Sequence, residues 1–282
     1  MKLLISLVVH NWDTAELGKV LGSLSSSLTL ADNTGQLESA ALWLSYNGEA
    51  SINERDASVL LNRVFQWPVQ MLLNQPNRGY GGTNNLALQQ IFSDYGTSAE
   101  RAAILVMNPD VVLEANAIIE SIKHLNAEPR CGLVCPRIFD EQGEEGAIGH
   151  KRYPSLAVLA ARMCRRLLKL SLVDAINKRY EYRDLNPEIM TDIELCSGCF
   201  MLGRLEFWRQ LKGFDQHFFM YFEDFDVAMR GGKKQWQNHY VPSVRILHAG
   251  GGAGAKNWRH RVWFIRSALR FFSRHGWRLW RV

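Results

Sequence analysis

Residues 217–230 read HFFMYFEDFDVAMR and place three carboxylates, Glu223, Asp224 and Asp226, within four positions. Phe218, Phe219, Tyr221, Phe222 and Phe225 flank or separate them. Neighbouring carboxylates repel one another, and burial raises their pKa values. A stable core avoids this arrangement unless a cation or a proton-transfer task requires it. The rings would form a dry wall of about sugar size, because the C–H faces of sugars stack on aromatic rings. If 221–230 is a helix, Glu223 and Asp226 share one face and Asp224 points elsewhere. A helix start, where acids meet the positive end of the dipole, explains some of these acids without requiring three among five aromatics.

Asp110 follows the apolar run AAILVM through Asn108 and Pro109. A carboxylate just past a buried strand can hold Mg²⁺ or Mn²⁺, which bind through few carboxylates plus substrate phosphates. It can equally be a turn residue capping the next helix. The loop NQPNRGYGGTNNLALQQ (74–90) sets three glycines, Gly79, Gly81 and Gly82, after Arg78 and ahead of Asn84 and Asn85 at a helix start. Such a loop can bring backbone N–H groups to a phosphate, although it matches neither GxxxxGK[ST] nor GxGxxG. His248 ends the apolar run VRIL before three glycines; it is either a metal ligand or a structural histidine. Cys196 and Cys199 form a CxxC. No second CxxC or spaced His pair completes a zinc site in the sequence, and buried thiols are the alternative.

The elements that must position these groups alternate strand and helix. LLISLVV (3–9) is a strand buried on both faces, and Asp13 caps a helix running to about Leu28. Strands follow at ALWLSYNG (41–48), which ends in a turn, at VQMLLN (69–74), and in AAILVMNPDVVL (102–113), an apolar strand running into the turn signal Asn-Pro-Asp. A helix from about Asn116 to Leu125 and a strand at GLVCPRIF complete the first half. This pattern predicts an α/β sheet with parallel strands, whose ligands gather at the strands' carboxyl ends. His10, Asn11, Tyr46, Asn47, Asn108 and Asp110 all lie there.

The chain has 282 residues, 47% of them hydrophobic and 22% charged, with only 8 prolines, which excludes a disordered chain. Five cysteines in a chain of this length do not suggest a disulfide scaffold. MKLLISLVVHNWD reads as a first strand rather than a signal peptide, and no apolar run reaches eighteen residues. The cytoplasm is therefore the expected location. Eight of the 33 Lys/Arg lie from Lys256 onward with no Asp or Glu, so the tail is +8 and the body −3. In the tail, Trp258, Val262, Ile265, Leu269 and Phe272 form an apolar stripe, and Arg266, Arg270 and Arg274 a basic one. A second amphipathic helix, over 156–176, carries Arg162, Arg165, Arg166 and Lys169.

GCFMLGRLEFWRQLKGFDQHFFMYFEDFDVAMR followed by WQNHYVPSVRILHAGG resembles the C-terminal half of family 2 glycosyltransferases. The rhamnosyltransferase-like branch of bacterial surface polysaccharide synthesis is most similar, and NRGYGGTNNLAL and LVMNPDV resemble the same branch. The likeness covers about residues 3–250. It implies a GT-A fold, a Rossmann-like nucleotide-binding sheet merged with an acceptor-binding half, and inverting transfer from a nucleotide sugar. The expected organisation is a 1–255 domain, with halves 1–135 and 136–255, and a basic helix over 256–282.

The resemblance implies that Asn-Pro-Asp stands where the family has its DxD, with Asp110 the surviving acidic ligand and His248 completing the metal site. Asp224 resembles the catalytic base. Glu223, Asp226, Gly198 and Tyr221 are then acceptor-binding. His10, Asn11, Tyr46, Asn47, Arg78, Gly79, Asn84 and Asn108 are donor-binding. Tyr46 stands where the family has an acidic residue ending strand two, and Asp32 is its rival. The implied partners are a divalent cation (Mg²⁺ or Mn²⁺), a donor such as dTDP-rhamnose or a UDP-sugar, and a lipid-linked glycan. The basic helices would place the enzyme at the inner face of the cytoplasmic membrane, bound peripherally.

Three rivals differ in class. A nucleotidylyltransferase needs a Gly-rich, basic loop after strand one, where this chain has HNWDTAE. A non-catalytic glycan- or nucleotide-binding partner would not need Asp110, Asp224 and His248 together. Nucleic-acid binding through the tail is disfavoured by the acidic body.

Overall fold

In a computed structural model of the chain, the described residues are 1–96, 101–140, 142–145, 148–164, 171–248 and 258–279. Strand β1 (Lys2–Val9) is apolar along almost its whole length because both of its faces are covered. Leu3, Ile5, Leu7 and Val9 enter one core cluster, shared with α1 (Thr14–Asn33) and α4 (Ala117–Ala127). Leu4 enters a second, shared with α3 (Gly79–Asp94), α7 (Leu205–Leu211) and α8 (Glu223–Lys233). The period of two along the strand thus sorts residues into two layers. Asp13 caps α1 as expected, its Oδ1 accepting from Ala15 N at 2.9 Å and Glu16 N at 3.1 Å.

The main sheet continues through β2 (Ser39–Tyr46), β3 (Val69–Leu72), β4 (Ala102–Met107), β5 (Val111–Leu113), β6 (Cys131–Phe139), β8 (Thr191–Ile193), β10 (Phe200–Arg204) and β11 (Gln237–His248). Its order is β3-β2-β1-β4-β10-β6-β11-β5, with β8 paired to β11. Strands β3, β2, β1 and β4 are parallel. The chain winds outward from β1 in both directions, so a crevice opens between the carboxyl ends of β1 and β4. Strand β4 ends at the Asn-Pro-Asp turn, as the sequence predicts, with β5 directly after it, and α2 (Glu54–Val64) lies between β2 and β3.

Two antiparallel pairings bring the second half of the chain to this crevice. Strand β10 runs against β4 with Phe200 opposite Met107, so Cys199 O accepts from Asn108 N at 2.9 Å and Gly198 lies beside it. Strand β11 runs against β5 with His248 opposite Val111, which sets His248 next to Asp110. A small sheet of β7 (His150–Lys151) and β9 (Leu195–Cys196) closes the far wall. Helices α5 (Leu156–Cys164) and α6 (Ser171–Tyr180) follow β7. The basic helix expected over 156–176 falls partly outside the described residues, which include neither Arg165, Arg166 and Lys169 nor the side chain of Arg162.

The basic tail forms α9 (Trp258–His275). It docks through Phe271 and Phe272, which join Tyr153, Phe218, Phe222 and Ala268 in a third apolar cluster. Burying each Phe contributes about 1.5–3 kcal/mol before entropic costs. Of the stripe read from the sequence, only Phe272 is buried; Trp258, Val262, Ile265 and Leu269 are exposed. The buried face is instead Ser267, Ala268, Phe271 and Phe272, and Ser267 Oγ fixes it to the turn before α8 by donating to Met220 O at 2.9 Å. The basic stripe is also partly internal: Arg270 and Arg274 both pair with Asp215.

Candidate functional site

A cavity of about 450 Å³ opens at the β1–β4 crevice. Five of the expected donor residues line it: His10, Asn11, Asn47, Gly79 and Asn108. They form a connected polar floor. His10 Nδ1 lies 3.2 Å from Asn47 O, and Asn47 Nδ2 donates to Thr83 Oγ1 at 2.8 Å. Asn77 Oδ1 accepts from Gly79 N at 2.9 Å and tightens the loop into α3. Gly79 has φ +75°, and a Cβ there would lie 1.8 Å from Phe219 O. Only glycine fits both the left-handed backbone and this close approach.

Three expected donor residues lie elsewhere. Tyr46 is buried in the core, edge-on to Trp12 with ring centroids 5.6 Å apart. Arg78 is exposed at the N-cap of α3 and is not part of the cavity lining. Asn84 is fully buried, its Oδ1 accepting from Ser6 Oγ at 2.7 Å, and ties α3 to β1. The rival Asp32 sits in the last turn of α1, where its carbonyl accepts from Gly35 N, not at a strand end.

Asp110 lies on the rim of this cavity, and its Oδ1 is 3.3 Å from His248 Nε2. Burial alone would lower the imidazole, but hydrogen bonds to Asp110 and Cys199 outweigh it and raise His248 to about 10. Burial would likewise raise Asp110, yet the hydrogen bond and charge of His248 hold it below the usual carboxylate value. The pair is thus a carboxylate beside a protonated imidazole, which offers its nitrogen to an ion only on giving up that proton. This donor set fits Mg²⁺ or Mn²⁺ held by few protein groups, with phosphate oxygens completing the shell.

A second cavity, about 430 Å³, adjoins the first. Tyr80, Asn108 and Met220 line both. Gly198, Tyr221, Glu223, Asp224 and His248 line the second, together with Lys151, Tyr180, Phe222, Phe225 and Phe264. The aromatic wall expected from the sequence is therefore present.

Asp224 is fixed at both oxygens. Its Oδ2 accepts from Gly198 N and its Oδ1 from Phe225 N, each at 2.8 Å. A Cβ on Gly198 would lie 3.3 Å from Asp224 Cβ and 3.5 Å from the Tyr80 ring, so this residue must be small for the carboxylate to approach. Burial raises the Asp224 carboxyl above its ordinary value; the two N–H donors and the Lys151 charge offset this only in part. Such a group accepts a proton better than a free carboxylate does. Tyr221 and Phe222 precede α8 with φ of 72° and 63°, a left-handed backbone that is rare for bulky residues. Contacts hold the turn: Tyr221 Oη lies 3.0 Å from His260 Nδ1, and Phe222 packs on Phe264 and Phe271.

Asp226 does not line the second cavity. Its side chain is fully buried, with Oδ2 accepting from Arg230 Nε at 2.6 Å and Oδ1 2.9 Å from His275 Nε2. Glu223 and Asp224, the first two residues of α8, both line the second cavity, and Asp226 does not. This reverses the grouping by helical spacing. The sequence reading also missed Tyr80, Lys151 and the tail residues His260 and Trp263, which line the cavities. Tyr80 lay in plain view within GYGG, and its Oη donates to Gly198 O at 2.7 Å. The CxxC thiols Cys196 and Cys199 are both buried, as in the bland alternative.

No family model matches the sequence. Rhamnosyltransferase WbbL of Escherichia coli (strain K12) is 26% identical over 197 residues, 70% of this chain and 70% of that protein. N-acetylglucosaminyl-diphospho-decaprenol L-rhamnosyltransferase of Mycobacterium tuberculosis is 29% identical over 198 residues, 66% of this chain and 60% of that protein. Among solved structures, GalNAc-T7 with UDP, GalNAc and Mn²⁺ superposes with a TM-score of 0.56 at 14% identity, covering 88% of this chain and 43% of that one. S. aureus TarS gives 0.52 at 10% identity, covering 89% and 37%. These structures show the fold, which is GT-A. The curated relatives bear out the rhamnosyltransferase-like resemblance carried by the motifs, and together the comparisons support a glycosyltransferase.

Proposed function

We propose that this chain, similar to rhamnosyltransferases and folded as a GT-A enzyme, transfers a sugar with inversion from a nucleotide donor to a lipid-linked glycan. The observation that carries the reading is Asp224. It is a carboxylate with raised pKa, held at both oxygens, in the wall of a cavity that adjoins the nucleotide crevice across Tyr80, Asn108 and Met220. In the proposed reaction an acceptor hydroxyl attacks the anomeric carbon from the Asp224 side. Asp224 takes the hydroxyl proton as the new glycosidic bond forms and the bond to the diphosphate breaks.

His10, Asn11, Asn47 and Asn108 bind the nucleotide portion, and Glu223 and Tyr221 hold acceptor hydroxyls. Phe222, Phe225 and Phe264 exclude water, which limits hydrolysis of the donor. Asp110 and His248 would hold a divalent cation, which when bound neutralises charge on the leaving diphosphate. By likeness to the curated relatives, the donor is dTDP-rhamnose or a related nucleotide sugar and the acceptor is a polyprenyl-diphosphate-linked sugar. The exposed row Trp258, Val262, Ile265 and Leu269, beside exposed Arg259, Arg261 and Arg266, supports peripheral docking on an anionic membrane. Among the described residues, no helix is long and apolar enough to cross a membrane.

A thermal-shift panel of nucleoside diphosphates and nucleotide sugars, with and without Mn²⁺, tests the donor site. A ligand at 100 times its Kd stabilises the native state by about 2.7 kcal/mol. The expected result is a metal-dependent shift with one nucleotide that Asp110→Ala abolishes. If no nucleotide shifts the folded protein, the reading moves to a non-catalytic glycan-binding partner.

A further inference from the structure

At the end of the sheet opposite the cavities, three side chains from distant parts of the sequence converge. His124 comes from the last turn of α4, Cys131 from the start of β6 and His239 from the start of β11. His124 Nε2 lies 2.8 Å from His239 Nδ1, with the two rings at 76° to one another. Taking one ligand atom from each residue, these atoms all lie within 4.8 Å of one another. The place is fixed by backbone pairing: Gln237 is opposite Cys131 across β11 and β6, and Asp192 is opposite His239 across β8 and β11. His239 is opposite Val134 of β6, and Leu247, next to His248, is opposite Phe139, so the two histidines lie roughly 20 Å apart at the rise of a strand. This cluster is therefore distinct from the Asp110–His248 pair.

The donor types select the ion. Two imidazoles and a thiolate suit a borderline-soft cation such as Zn²⁺, and not the hard Mg²⁺ or Mn²⁺ that suits Asp110. His239 and Cys131 are buried, while His124 is partly exposed and gives a route in from solvent. The second nitrogen of His239 supplies an independent sign. Nε2 is buried without a well-aligned hydrogen bond, and Asp192 Oδ1 lies 3.2 Å from it. A carboxylate behind a histidine is the usual arrangement for orienting a metal-bound imidazole. Burial pushes the Cys131 thiol up to about 12, and the charge of Arg204, which donates to Leu125 O and Glu128 O, offsets this only in part, so the bound ion itself must displace the thiol proton.

We propose that His124, Cys131 and His239 form a zinc site that staples the C-terminal turn of α4 to β6 and β11. Binding replaces the hydrogen bond between the two imidazoles. Each ring turns a lone pair to the ion: His124 keeps its proton on Nδ1 and His239 carries its own on Nε2, toward Asp192. The Cys131 thiol releases one proton to solvent. Three protein ligands leave a fourth position for water.

The test uses the full chain, stripped with a chelator and titrated with Co²⁺ alone. A thiolate-to-cobalt band in the near ultraviolet with visible d–d bands is expected, saturating at one ion per chain. Cys131→Ser should remove the ultraviolet band, and His124→Gln should weaken binding about tenfold or more. Cys199→Ser, which alters the thiol beside His248, should leave the band intact. Zn²⁺ should raise the melting temperature of the parent chain by more than that of His124→Gln. If Cys131→Ser does not fold, His124→Gln decides by itself, because His124 lies at the partly open edge of the cluster. The absence of a thiolate band in the parent chain overturns the proposal. So does a band that survives Cys131→Ser or vanishes in Cys199→Ser, since either places the ion elsewhere.

Discussion

Asp226 Oδ1 lies 2.9 Å from His275 Nε2, and both side chains are fully shielded from solvent. One residue belongs to the first turn of α8, two positions after Asp224; the other ends α9. The helix that carries the proposed base is thus locked to the helix that lines the first cavity with His260 and Trp263. Arg274 joins the cluster 3.4 Å from Asp226, and it also reaches Asp215. The basic tail is consequently part of the site's wall.

Removing the charge of Asp226 leaves the largely buried Arg230 guanidinium without its carboxylate partner. Asp226→Asn is expected to destabilise the chain by about 3–5 kcal/mol, measured by denaturant unfolding. Burial alone would raise this carboxyl, but His275 and Arg230 outweigh it and hold it below its usual value; His217 and Arg270 do the same for Asp215. A depressed carboxylate contributes stability above its unfolded-state pKa and loses it as pH falls through the folded one. Loss of α9 docking on acidification, below about pH 4, is the expected outcome. Proteolysis of the tail at stepped pH would show it. A tail equally protected in strong acid would refute the coupling.

Asp224→Asn should lower kcat/KM by about 10²- to 10⁴-fold while leaving nucleotide-dependent thermal shifts in place. In the parent enzyme the rate should fall as pH drops through the Asp224 pKa. That limb should lie above the ordinary carboxylate range, because burial raises this group. Near-parental turnover in the Asn variant would remove Asp224 as the base.

The exposed row on α9 can be tested without disturbing the core. Ile265 and Leu269 are 57% and 52% exposed, so Ile265→Glu with Leu269→Glu should leave the melting temperature unchanged. Co-sedimentation with phosphatidylglycerol vesicles should fall sharply in the double variant, and in the parent it should weaken with salt. Parent protein that stays in the supernatant at low salt would rule out membrane docking.

The sequence by itself determined the winding of the first half. Apolar runs such as LLISLVV and AAILVM can only be strands buried on both faces, and such strands put His10, Asn47, Asn108 and Asp110 at one edge. The motif around Asp224 was legible for the same kind of reason: like charges among aromatics have few structural explanations. Tertiary structure alone decided which carboxylates face the cavity. Helical spacing joined Glu223 with Asp226, but Gly198 N holds Asp224 in the cavity wall beside Glu223, while Arg230 and His275 hold Asp226 in the interior. It also decided which face of α9 is buried, because two apolar faces compete on one helix and only the groups packed against it choose between them. The convergence of His124, Cys131 and His239 follows from strand pairing between residues more than a hundred positions apart, a relation no local pattern encodes.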